Sequence, residues 1–233
     1  MARVLSKEEW RKRRRRNRNF ILLLIITLFV FIVVLSALFL KEIYHQRTGE
    51  EPSQKETLST KLLNGKEIKV DYLTPNPYSR PQTALKKVKG IVIHYTANPG
   101  TTADNNRSYF EGLKTTGTTK ASSHYIIGLE GEIVQCVPLN EISYASNQRN
   151  EDTIAIENCH PDQTGKFNDQ TYESLVALTA ALCVEFGLDT DDVIRHYDVT
   201  EKYCPLYYVE NEPAWNQLKE DIAGAMKELK AGK

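Results

Sequence analysis

The sequence predicts an α/β protein in which a mixed central β-sheet is flanked by helices and preceded by one N-terminal transmembrane helix. Three observations predict it. Short β-branched runs alternate with amphipathic stretches from about residue 90 onward. Two turn-bounded runs, "SSHYII" and "EIVQCVP", flank a Glu130–Gly131 turn, the pattern of an antiparallel hairpin within an otherwise alternating β/α order. Near the N-terminus, residues 20–40 form 21 uncharged positions without Pro or Gly, which matches the hydrocarbon thickness of a bilayer spanned as a helix.

The elements follow in chain order. Residues 1–19 form a basic arm that contains "RKRRRRNR". A cleavable signal sequence has a shorter apolar stretch and ends in a small-residue cleavage site, which "SALFLKE" lacks. The run over 20–40 is therefore expected to stay as a single-pass anchor. The basic arm should remain cytoplasmic, with the rest of the chain outside the cell membrane. Because the arginines abut the span directly, their expected partner is anionic lipid rather than nucleic acid. The formal net charge of zero hides this asymmetry: residues 41–233 hold 21 basic and 28 acidic residues. Residues 41–66 are polar and mixed in charge and read as a stalk, and the folded domain is placed over 67–233.

Within that domain "DYLTPNPYSRPQT" carries three prolines and reads as an extended surface arm. "GIVIHY" is a buried strand over Gly90–Tyr95. "TADNNRSYFEGL" has Ala103, Asn106, Tyr109, Phe110 and Leu113 near helical spacing. "DTIAIENC" is a strand with Ile154 and Ile156 on one face and Ala155, Glu157 and Cys159 on the other. "NDQTYESLVALTAALCVEFG" is an amphipathic helix, capped by Asn168 or Asp169 and closed by Gly187. "DVIRHY" is a short strand, and Pro213 opens a last helix with Trp215, Leu218 and Ile222 as its apolar stripe.

Five residues stand out for chemistry. His94 ends an apolar strand, His196 ends another, and Cys204 follows eight residues later. In open α/β sheets, sites gather at the carboxyl ends of strands. Two imidazoles and one thiolate would leave a fourth position open, as catalytic zinc requires. Spacing alone leaves Cys204 open among a buried small hydrophobe, half of a disulfide, a nucleophile and a metal ligand. Glu157 is a carboxylate at the end of an apolar strand, so it is either salt-bridged or functional. Lys202 is two residues before Cys204 and is on these grounds an exposed loop lysine or part of a site. Cys183 falls near the apolar helix stripe, while Cys136 and Cys159 could be free or paired.

Four motifs in order, "GIVIHYTANPG", "SSHYIIGLEGEIVQCVP", "TIAIENC" and "IRHYDVTEKYCP", resemble the zinc-dependent N-acetylmuramoyl-L-alanine amidases of the type-2 class. That class includes phage lysozyme-like amidases and peptidoglycan recognition proteins, and the likeness covers roughly residues 89–229. The resemblance implies a metal set of His94, His196 and Cys204 for Zn2+, with Glu157 as general base and Lys202 as oxyanion partner. It implies hydrolysis of the amide between N-acetylmuramic acid and L-alanine of peptidoglycan. The expected anchor, taken with that activity, points to a resident wall hydrolase of a Gram-positive bacterium. Some members use a tyrosine just before the hairpin histidine; Ser123 stands there, which shifts the base role towards Glu157. His124 is then a packing or hydrogen-bonding residue, not a ligand. Members that only bind peptidoglycan commonly lack the cysteine, so Cys204 favours catalysis over the alternative of a non-catalytic binding or sensor module.

Overall fold

The computed structural model describes residues 27, 31, 35, 36, 57, 58 and 62–232. The expected basic arm lies outside the described residues, as does nearly all of the expected membrane span. Among the described residues no helix is long and apolar enough to cross a membrane.

The unit Ser53–Lys233 is built on one six-stranded sheet. In chain order the elements are β1 (Ile68–Val70), β2 (Gly90–Tyr95), α1 (Ala103–Thr116), β3 (Tyr125–Ile127), β4 (Ile133–Gln135), β5 (Thr153–Asn158), α2 (Asp169–Phe186), β6 (Val193–Arg195), α3 (His196–Thr200), α4 (Leu206–Glu210) and α5 (Glu212–Ala231). A 3-10 turn, Asn147–Glu151, precedes β5. The strand order is β1-β4-β3-β5-β2-β6. Only β3 and β4 run antiparallel; every other neighbouring pair is parallel, so the sheet is mixed as expected.

Strand alternation divides the core into two layers. Ile91, Ile93, Ile154 and Ile156 project to one side, where Leu175, Leu178 and Leu182 of α2 and Trp215, Leu218 and Ile222 of α5 cover them. Ile126, Val134, Cys136 and Cys159 project to the other side and meet Phe110 and Leu113 of α1. The expected stripe of α1 is narrower than its spacing suggested. Ala103, Phe110 and Leu113 are buried, but Tyr109 is 55% exposed because it sits on the outer face of the helix.

Local chemistry explains the boundaries. Asn168 caps α2 by accepting from the Thr171 amide, and Gly187 ends it in the left-handed region at φ +68°. The β3–β4 turn needs Gly131: its φ is +72°, and a Cβ there would fall 2.7 Å from the Gln170 carbonyl oxygen. The proline-rich arm is extended and pinned by Arg80, which grips both carboxylate oxygens of Glu141 at 2.9 and 2.7 Å. Leu62, within the expected stalk, is buried in the core beneath the sheet, and Lys66 reaches the Glu130 carbonyl at 2.8 Å.

One boundary differs from the sequence reading. His196 does not end a strand; β6 stops at Arg195 and His196 opens α3. Asp198 is the cause. Its carboxylate accepts from the Arg195 amide at 2.8 Å, the N-terminal bond that starts a helix rather than prolonging a strand.

Candidate active site

Three parallel strands, β5, β2 and β6, lie side by side, so their carboxyl ends open at the same edge of the sheet. His94 is near the end of β2, and Glu157 is its directly paired neighbour on β5. Both occupy the strand face opposite to Ile93 and Ile156. His196 follows the end of β6. Cys204 arrives by a return of the chain: Glu201 ends α3 in the left-handed region at φ 61°, and the Tyr197 amide donates to the Cys204 carbonyl at 2.9 Å. Arg195 braces this corner. It donates to Asp198, the Tyr208 carbonyl and Glu212, and its guanidinium lies 5.3 Å from the Trp215 ring centre. Trp215 is thus a core residue, as its helical position implied.

The result is a cluster. The ligand atoms of His94, His196 and Cys204 all lie within 4.8 Å of one another, and the three residues are buried. The Cys204 Sγ is 3.8 Å from His94 Nδ1. A tetrahedral zinc at ordinary bond lengths separates N and S ligands by about 3.6 Å. His196 Nε2 faces the Asn147 Oδ1 at 3.0 Å. An amide oxygen only accepts, so the proton sits on Nε2 and Nδ1 is a bare lone pair. That Nδ1 is enclosed and has no hydrogen-bond partner. Burial, the neighbouring imidazole and Lys202 hold His94 neutral, with its pKa well below the usual range. Burial, with a smaller effect of Lys202, lowers His196 to about 4. Two neutral imidazoles with directed lone pairs and a nearby thiol fit a borderline-soft divalent metal.

Glu157 is the second candidate group, half-buried beside the cluster. Its Oε2 is enclosed without a hydrogen-bond partner. Loss of hydration raises its pKa to about 8, while Lys202 pulls in the opposite direction. A carboxyl poised near neutrality suits proton transfer. Lys202 itself is exposed at the rim. All five residues line one open cleft of about 380 Å3, together with Tyr95, Lys120, Tyr144 and Asn147.

The remaining cysteines and histidines are accounted for differently. All four cysteines are free and buried, so no bridge forms. Burial pushes Cys136, Cys159 and Cys183 up to about 12, far from reactive thiolates. His124 is structural: its Nδ1 accepts from the Ala155 amide at 3.0 Å and its Nε2 donates to the Glu141 carbonyl at 2.9 Å. Ser123 donates to the Tyr125 carbonyl and does not line the cleft. Ser146, Asn147, Tyr144 and Lys120 escaped the sequence reading. They come from loops without periodic signal, and only the folded chain brings Ser146 and Asn147 to the histidines and Tyr144 and Lys120 to the cleft wall. Lys120 Nζ lies 5.2 Å from the Tyr144 ring centre at the cleft wall.

A mixed sheet that carries at its strand ends a His–His–Cys cluster able to hold a metal, and beside it a half-buried carboxyl, defines an α/β protein with a candidate metal site. A family profile described as N-acetylmuramoyl-L-alanine amidase matches residues 84–206, and the chain belongs to that family. Among similar proteins, N-acetylmuramoyl-L-alanine amidase CwlL of Bacillus licheniformis is 36% identical over 165 residues, covering 65% of this chain and 45% of the relative. BlyA of Bacillus subtilis (strain 168), of the same description, is 35% identical over 176 residues, covering 66% and 46%. The chain thus spans about half the length of the curated relatives it matches. The catalytic domain of XlyA shares the fold, with a TM-score of 0.56 at 24% identity, covering 67% of this chain and 99% of that one. A mutant endolysin from Bacillus subtilis gives 0.58 at 26% identity, with coverage of 67% and 99%.

Proposed function

We propose that this protein hydrolyses the amide between the lactyl group of N-acetylmuramic acid and the L-alanine of the peptidoglycan stem peptide, using zinc. One observation carries the reading: the ligand atoms of His94, His196 and Cys204 and the orphaned carboxylate of Glu157 share a single open cleft. The family and the named relatives support the bond that is cut.

His94, His196 and Cys204 would hold the ion. Zinc, when bound, supplies Lewis acidity toward the amide carbonyl and toward water. The protein's own groups do the rest. Glu157 takes a proton from the attacking water as the C–O bond forms. It then delivers a proton to the alanine nitrogen as the C–N bond breaks, leaving a free amine and a carboxylate. Lys202, at the rim, faces the oxygen on which negative charge develops. A cysteine nucleophile fits poorly. In the metal-free chain, burial and then Glu157 raise the Cys204 thiol to about 12, too high for a free thiolate at neutral pH.

The reading extends to location. The uncharged run over 20–40, preceded by the basic cluster, supports a single-pass anchor with the catalytic domain outside the cell membrane, and the Bacillus source of the relatives supports a Gram-positive cell. Carbonate-washed membranes should retain the full chain and release a variant lacking residues 20–40; retention of both refutes the anchor.

The activity is tested by incubating the full chain in detergent with purified peptidoglycan and measuring newly exposed alanine amines. Release that is abolished by a chelator and restored by Zn2+ supports the reading. Binding to peptidoglycan with no amine release favours a non-catalytic module instead.

A further inference from the structure

The loop before β5 touches both histidines. His94 Nε2 lies 3.1 Å from Ser146 Oγ, and His196 Nε2 lies 3.0 Å from the next residue's Asn147 Oδ1. The ring planes are tilted by 60° with centroids 4.7 Å apart, so adjacent side chains of one loop reach two differently oriented imidazoles. The loop is itself folded by a third residue. The Asn150 Oδ1 accepts from both the Ala145 and Ser146 amides, at 3.1 and 2.6 Å. Arg149 closes the turn by donating its amide to the Ser146 carbonyl at 2.9 Å. Gln148 fastens the loop to α3, the helix that carries His196, by donating to the Val199 carbonyl at 3.0 Å.

Asn147 also has a backbone φ of 52°. Few non-glycine residues adopt that region, and asparagine is among those that tolerate it best. A sparsely populated conformation persists where the surroundings over-determine it, and here it aims the amide oxygen at His196.

We propose that residues 145–150 form a positioning clamp. Ser146 and Asn147 lock the two imidazoles with the proton on Nε2 and both Nδ1 atoms turned towards Cys204, and Asn150 sets the spacing of the two acceptors. The outer hydrogen bond of a ligating histidine fixes its tautomer and its orientation. The clamp rests on the reading of the cluster as a zinc centre. Ser146, Asn147 and Asn150 are positioning residues, since each acts through the histidines or through the loop.

The test uses the full chain in detergent, Zn2+ competition against a chromogenic chelator, and the visible spectrum of the Co2+-loaded protein. Glycine accepts a positive φ without strain, so Asn147→Gly removes the acceptor while preserving the turn. Asn147→Gly and Ser146→Ala should each weaken Zn2+ binding by about 10–100-fold and shift the Co2+ bands. Asn147→Asp and Ser146→Thr keep an acceptor oxygen and should restore most of the affinity and the parental spectrum. A purely structural loop would lower the melting temperature without moving the Co2+ bands. Affinities within threefold of the parent in both deletion variants, with unchanged spectra, overturn the clamp. Should Asn147→Gly fail to fold, the Ser146→Ala and Ser146→Thr pair decides. A parent chain that binds no Zn2+ overturns the zinc reading and the clamp together, whereas tight binding by parent and variants alike overturns the clamp alone.

Discussion

Glu157 stands directly opposite His94 in the parallel pairing of β2 and β5. The carboxylate and the first imidazole are therefore held at fixed separation by sheet hydrogen bonds and not by a loop. Removing the proton-transfer function should leave the metal set intact. Glu157→Gln is expected to retain stoichiometric zinc while turnover falls by about 10²–10⁴-fold. Metal analysis and amine release on the same preparation check both halves. Activity within threefold of the parent would mean that another residue moves the proton.

The same carboxyl makes a stability prediction with a definite sign. Glu157 titrates near 4.5 when unfolded and about 8 when folded, so the unfolded chain releases this proton first. Its contribution is fully present below pH 4.5 and is lost as pH rises towards 8. Buried His94, His124 and His196 act in the opposite sense at lower pH, since their folded values are depressed. Comparing the parent with Glu157→Gln removes those shared contributions. In chelator, the two should be nearly equal at pH 4.5, and the variant should be more stable at pH 8 by on the order of 4 kcal/mol. Urea unfolding at both pH values measures it; a difference that does not grow with pH refutes the buried-carboxyl account.

Cys204→Ser replaces the thiolate with a hydroxyl, a much poorer zinc ligand. Zinc should be lost on dialysis, and activity with it. Zinc should also cease to raise the melting temperature, because a ligand stabilises only the state that binds it. One zinc per chain after dialysis, together with parental turnover, would sink the ligand assignment.

What could be read from the chain, and what could not, follows from the range of the interactions. His94 and Glu157 were legible because each interrupts the apolar run of its own strand near the carboxyl end, a local signal. Asn168 and Gly187 were legible for the same reason: each helix end is decided by residues within one turn. The clamp was not. Ser146 and Asn147 are ordinary polar loop residues until folding brings them beside residues 52 and 49 positions away in the chain. Strand β1 is three residues long and exists through its pairing with β4, so its own sequence carries almost no signal. The displaced boundary at His196 came from a side chain, Asp198, competing for a backbone amide that a strand would otherwise use.

Lys202 offers the sharpest separation of binding from catalysis. It lies two residues before Cys204, on the rim, and its charge acts on Glu157, His94 and His196 alike. If its task is to meet charge that exists only in the transition state, its removal should lower kcat and kcat/KM together while KM hardly changes. The loss of one such oxyanion donor is about 10²–10³-fold, and a rim position places Lys202 at the lower end. Lys202→Met is therefore expected to bind zinc like the parent and to turn over about 100-fold more slowly. Lys202→Arg keeps the charge and should recover part of that loss. A variant that raises KM with kcat unchanged would instead make Lys202 a ground-state contact for an anionic group of the substrate. A variant with no kinetic effect would return it to an exposed loop lysine beside the site.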